Sequence, residues 1–157
     1  MKFKNATIYA YDIDKNALKL CASLAIHNEV SNQIILRENC TSDTLNEMNF
    51  DGRTLIICDC EGYERMLFNE SNFCSFKNTD LIIELHPFYS ADVKEHLVSL
   101  FKLSHHCTIV SSLDRDRKIT DFKFSLQGLN KMEQVKSVEE GRPYTMDWLI
   151  AESNIYK

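Results

Sequence analysis

RTLIICDC (53–60) is the strongest strand in the chain. Leu55, Ile56, Ile57 and Cys58 follow one another without a polar break. A strand that is apolar at every position, rather than at alternate ones, is covered on both faces, as a central strand of a parallel sheet is. On both sides of this run, strand-like and helix-like segments alternate. Upstream, ATIYAYDI (6–13) is rich in Ile, Tyr and Thr and reads as a second covered strand. Asp14 is placed to cap a helix over 15–28, in which Ala17, Leu20, Leu24 and His27 recur near the helical period. Asn32 introduces a short strand, QIILRE (33–38). A brief helical turn over Ser42–Met48 follows, and Asp51-Gly52 stops it.

Downstream, Gly62 opens a turn and YERMLFNE (63–70) gives a short helix. DLIIELH (80–86) is an apolar strand closed by Pro87. SADVKEHLVSLFKL (90–103) is an amphipathic helix, with Val93, Leu97, Leu100 and Phe101 on one stripe and Ser90 as its N-cap. HCTIVSS (106–112) is a further strand, 113–143 a loop with an irregular helix, and YTMDWLIAE (144–152) the last strand. Crossovers of this length predict an open, mostly parallel α/β layer. No internal repeat or linker divides it, so one domain over 1–157 is expected.

Composition narrows the classes. Only 4 glycines and 2 prolines among 157 residues exclude collagen-like and low-complexity chains. A net charge of −5 without a basic block predicts no nucleic-acid and no anionic-membrane partner. MKFKNATIYAYD lacks an apolar signal core, and no long apolar stretch occurs, so a cytoplasmic protein is expected. Of the 6 cysteines only Cys58 and Cys60 are close, and no second pair completes a four-ligand zinc site. Reduced thiols and no metal are the expectation for them.

In open α/β sheets ligands gather beyond the carboxyl ends of the strands. Those ends carry Asp12 and Asp14, Glu38 and Asn39, Asp59 and Glu61, and Glu84 and His86. Asp12, after an apolar strand, suits ribose hydroxyls, although it or Asp14 could equally cap the next helix. Asp59 and Glu61 could hold a cation, a hydroxyl substrate or a cofactor amine, and Glu64 could join them from the first helical turn. Capping and dipole compensation are the structural alternative for Glu61 and Glu64. Glu84 and His86, two apart on a strand, share a face, where the carboxylate could make the imidazole a base or a metal ligand. His105 and His106 read as solvated or structural.

These residues carry a resemblance. TSDTLNEMNFDGRTLIICDCEGYERMLF (41–68) followed by DLIIELHP (80–87) resembles the FkbM-type S-adenosylmethionine-dependent methyltransferases. That family shows a K-x-D-x-E-G-x-E strand end and then an I-x-E-x-H strand. Here Asp59, Glu61, Gly62 and Glu64 match, while Ile57 stands where the family has Lys. YAYDID (9–14) resembles the strand whose terminal acid holds the cofactor ribose, with Asp12 at that place. The resemblance implies a Rossmann-like methyltransferase sheet and S-adenosylmethionine as cofactor, contacted by Asp12, Asp59 and Glu84. It also implies O-methyl transfer to a small-molecule or sugar hydroxyl, with Asp59 and Glu61 orienting and His86 assisting deprotonation.

The family's first strand and its D-x-G-x-x-x-G loop have no counterpart here, since none of Gly52, Gly62, Gly128 and Gly141 follows a first strand. An N-terminally truncated or degenerate sheet is therefore expected. The missing strand normally lies between those matching 6–13 and 53–60, and one strand's width is too far for direct hydrogen bonds, neighbours being about 4.8 Å apart. The two strands could close directly, which is the expectation for a chain folding alone. Otherwise a partner or second copy fills the gap, or the sequence belongs to a longer protein. The alternatives to an active enzyme are a silent methyltransferase-like binding or assembly protein, and a metal-dependent hydrolase using Asp59, Glu61, Glu84 and His86.

Overall fold

The computed structural model describes residues 6–50, 52–139 and 146–156, which fall in two compact units, Met1–Asn49 and Phe50–Lys157. The first unit holds β1 (Ile8–Tyr11), α1 (Lys15–His27), β2 (Ile34–Arg37) and α2 (Ser42–Glu47). β1 and β2 are parallel, Ile8 opposite Ile34, and the Asp12 N–H donating to the Arg37 carbonyl at 3.2 Å extends the ladder by one bond. Asp14 caps α1 as expected, its carboxylate accepting the Asn16 N–H at 2.8 Å. At the other end Glu29 takes the left-handed conformation, φ 58°. The N–H groups of Glu29 and Val30 then return to the carbonyls of Ile26 and Ala25, which satisfies the last turn of the helix.

The second unit holds β3 (Thr54–Cys58), α3 (Glu64–Leu67), β4 (Thr79–Leu85), α4 (Val93–Phe101), β5 (His105–Ser111), α5 (Arg115–Asp121), α6 (Lys131–Val138) and β6 (Asp147–Ser153). Its sheet runs β3-β4-β6-β5. β3 and β4 are parallel, but β6 is antiparallel to both its neighbours. The sheet is thus mixed where the sequence suggested a mostly parallel one. Apolar patterning reports that a strand exists and which face it buries, not the direction in which the chain enters it. β1 pairs with β2, β3 pairs with β4, and the two pairs belong to separate sheets.

One face of the four-stranded sheet forms the core. Leu81 and Ile83 of β4 alternate inward with Leu149 and Ala151 of β6, and all four are buried. α4 covers them with Val93, Leu97 and Phe101, the predicted stripe. Phe68, Phe76 and Phe101 are fully buried and meet edge to face, with ring centroids 5.5 to 6.2 Å apart. His105 is structural: one ring nitrogen lies 3.1 and 2.9 Å from the carbonyls of Phe76 and Thr79. Two details differ from expectation. Ser90 does not cap α4, which begins after Asp92; the Ser90 hydroxyl donates instead to the Asp92 carboxylate at 2.6 Å. Residues 113–139 contain two helices, capped by Asp114 and Asn130, rather than one irregular helix. Tyr144 and Thr145, the start of the predicted last strand, lie outside the described residues. Among the described residues no helix is long and apolar enough to cross a membrane.

Candidate functional site

The parallel pairing of β3 with β4 sets Cys58 opposite Ile83. The next residue of each strand, Asp59 and Glu84, therefore leaves on the same side of the sheet, and His86 follows two places later. Beyond Asp59 the chain must turn sharply. The Tyr63 N–H closes on the Cys60 carbonyl at 3.2 Å, and both residues inside that turn have positive φ, Glu61 at 52° and Gly62 at 105°. This is the pattern of a type I′ turn, which a glycine adopts freely and a glutamate at a cost of about 1–2 kcal/mol. A side chain at Gly62 has no room, because a Cβ there would stand 2.2 Å from the Tyr89 ring.

The turn drops Glu64, the first residue of α3, into the interior, where it has no exposed surface. Its Oε1 collects three groups. The Gly62 N–H donates to it at 3.1 Å, the Cys60 thiol approaches at 3.5 Å, and His86 Nδ1 lies at 2.6 Å. A carboxylate oxygen only accepts, so Nδ1 carries a hydrogen, and Nε2 looks out from the other side of the ring. There Nε2 faces Glu61 Oε2 at 3.4 Å, Asp59 Oδ1 at 3.6 Å and Glu84 Oε2 at 3.7 Å. His86 is 2% exposed, and Nε2 makes no hydrogen bond. Four carboxylates thus surround one imidazole, two of them buried with it. Such a centre favours a positive group brought into its midst.

Four of the five site residues named from the sequence, Asp59, Glu61, Glu84 and His86, meet at this point. Asp12 lies in the first unit at the carboxyl end of β1, is exposed, and accepts the Asp14 N–H at 2.8 Å through Oδ1. The sequence offers Glu64 as a companion to Asp59 and Glu61 or as a helix cap; in the structure it is the residue that holds the imidazole. The signal for it lay in the motif D-x-E-G-x-E, whose last acid falls two residues after the glycine, at the start of α3. None of the six cysteines is in a disulfide, and Cys58 and Cys60 Sγ lie 3.5 Å apart beside the cluster. A shallow cavity of about 390 Å³ at α5 and α6, lined by Lys118, Phe122 and Leu126 among others, contains none of these residues.

No protein-family model matches the chain, and no curated protein does. Among solved structures, the chain is similar to the one titled "Crystal structure of MccD protein". The two are 13% identical, with a TM-score of 0.47, over 96% of this chain and 80% of that one.

Proposed function

We propose that this chain is an S-adenosylmethionine-dependent methyltransferase-like protein of FkbM type whose acceptor-handling centre is the Asp59, Glu61, Glu64, Glu84 and His86 cluster. One observation carries the reading. The acids of ICDCEGYE and the acid and imidazole of IELH, quoted above for their resemblance, converge on a single buried imidazole ring. The substrate class is a small molecule with a hydroxyl, and the setting is the cytoplasm. Asp59 and Glu61, the two exposed acids, orient the acceptor by accepting hydrogen bonds from it. His86 takes the hydroxyl proton at Nε2 while Glu64 holds Nδ1–H and steadies the imidazolium that forms.

For the cofactor the fit is partial. Asp12 Oδ1 is engaged by its own turn, and its second oxygen remains for ribose hydroxyls at the carboxyl end of β1. Asp59 and Glu84 belong to the cluster. S-adenosylmethionine, when bound, supplies an electrophilic methyl group on sulfur. Calorimetric titration of the chain with S-adenosylmethionine tests the reading, followed by methyl transfer to a panel of small hydroxyl compounds. Saturable binding that weakens in Asp12→Asn, with transfer lost in His86→Asn, is the expected result. Heat absent at millimolar cofactor overturns a stand-alone enzyme.

A second reading is favoured by a separate observation. Among the described residues β3 has a partner on one side only, and its Leu55 and Ile57 are 53% and 67% exposed. An apolar edge strand suits a methyltransferase-like protein that binds or assembles without catalysis, through a second copy or a partner strand.

A further inference from the structure

We infer that Asp59, Glu84 and His86 Nε2 form a binding site for one divalent first-row cation, with Glu61 as a fourth oxygen at its rim and Glu64 as the carboxylate that orients the imidazole. The inference takes the same cluster as its site, yet stands whether or not the chain transfers methyl groups.

The argument begins with the imidazole. Its Nδ1–H is fixed on Glu64 Oε1 at 2.6 Å, so Nε2 looks toward three carboxylate oxygens at 3.4 to 3.7 Å. Nε2 makes no hydrogen bond to any of them, and carboxylates crowded together round a buried ring nitrogen repel one another. A metal ion removes the repulsion and matches the spacing: two ligands about 2.1 Å from a tetrahedral ion lie roughly 3.4 Å apart. One ligand atom each from Asp59, Glu84 and His86 lies within 4.8 Å of the others, which leaves room for a single ion between them. A carboxylate behind a metal-bound histidine is the usual way such a ring is held in orientation and made a better donor.

The elements carrying these groups are built for it. His86 and Glu84 come from one side of β4, Asp59 from the end of β3, and Glu64 from a turn held by Gly62. His86 and Glu84 are 2% and 3% exposed, whereas Asp59 is open to solvent, so an ion can enter from that side. A set of one imidazole and two or three carboxylates selects a Zn²⁺ or Mn²⁺ type of ion over soft cations, which need thiolates. With such an ion bound, His86 Nε2 becomes a ligand in place of a proton acceptor. A hydroxyl on the open side of the ion then becomes more acidic.

The test uses the whole chain freed of metal by chelation, titrated with Mn²⁺ and followed by the loss of the free-ion electron paramagnetic resonance signal. One saturable equivalent, displaced by Zn²⁺, is expected. Asp59→Asn, at a solvent-open position where folding is not at risk, should weaken it at least about 10-fold. Glu64→Gln, which touches no ion, should weaken it about 10–100-fold while leaving a site that still loads at higher Mn²⁺. Absence of saturable binding of both ions, or an affinity unchanged in folded Asp59→Asn, overturns the inference. S-adenosylmethionine titration with and without chelator separates the two ideas. Cofactor binding without metal binding leaves methyl transfer standing and sinks the ion site. Metal binding without cofactor binding does the reverse.

Discussion

Gly62 ties the backbone to the chemistry more tightly than any acid in the cluster. Its N–H donates to the same Glu64 oxygen that holds His86, and its φ of 105° lets the turn place that N–H there. A methyl group at this position meets two separate obstacles. Positive φ costs an L-residue about 1–2 kcal/mol, and the added carbon lies 2.2 to 2.7 Å from Cδ2, Cγ and Cβ of Tyr89. The Tyr89 ring is largely exposed and can swing aside, so part of the clash is relieved. Gly62→Ala should therefore lower stability by about 1–3 kcal/mol, read from the urea midpoint at unchanged slope. Adding Tyr89→Ala should recover the part of the clash owed to the ring and leave the contact with Cβ and the conformational share. If the single variant is as stable as the parent, the turn does not hold the geometry described here.

At the scale of elements, the sequence was most legible where one periodicity persisted. The α4 stripe of Val93, Leu97 and Phe101 and the β4 run through Leu81 and Ile83 are both buried as their patterns required. The strand ends were legible too, because the parallel β3–β4 pair brings Asp59, Glu84 and His86 to one side of the sheet. What the pattern could not carry was direction and pairing. β6 has the composition of any covered strand, and only the return of the chain after α6 makes it antiparallel, between β4 and β5. Glu64 was obscure for another reason: acids in the first turn of a helix are ordinary, and burial is what distinguishes this one. β6 also carries a testable link between elements. Asp147 accepts from the Ser111 hydroxyl of β5 at 2.6 Å and from the Lys94 ammonium of α4 at 2.9 Å. These two bonds, the hydroxyl first, hold its carboxyl below the usual carboxylate range. Because the folded value is the lower one, the stabilisation is complete above the unfolded value near 3.8 and disappears as the pH falls through the folded value. Asp147→Asn should thus be less stable than the parent at neutral pH, and the two stabilities should converge in acid. Urea midpoints measured from pH 7 down to pH 2 check this; a constant gap over that range would exclude the linkage.

For the whole molecule, the question is what satisfies the strand edges. β3 offers Thr-Leu-Ile-Ile-Cys with no charge, no proline and no bulge, the features by which edge strands ordinarily resist pairing with other chains. β1 offers Ile-Tyr-Ala-Tyr, with Ile8 and Tyr9 exposed, and likewise bonds to one strand only among those described. Unpaired backbone groups beside exposed apolar side chains favour association, and a net charge of −5 spread over 157 residues opposes it weakly. Association at β3 should accordingly be concentration dependent and sensitive to one well-chosen charge. Ile57→Lys places an ammonium on the exposed side of the strand without touching the opposite face, which holds half-buried Ile56 and buried Cys58. Light-scattering mass over a range of protein concentrations is the measurement. The parent should gain mass as concentration rises, and Ile57→Lys should stay at the mass of a single chain with its urea midpoint within about 0.5 kcal/mol of the parent. A parent that keeps the single-chain mass throughout would show that β3 does not recruit a second copy. A variant that associates as the parent does would move the contact away from β3, leaving β1 as the edge to charge next.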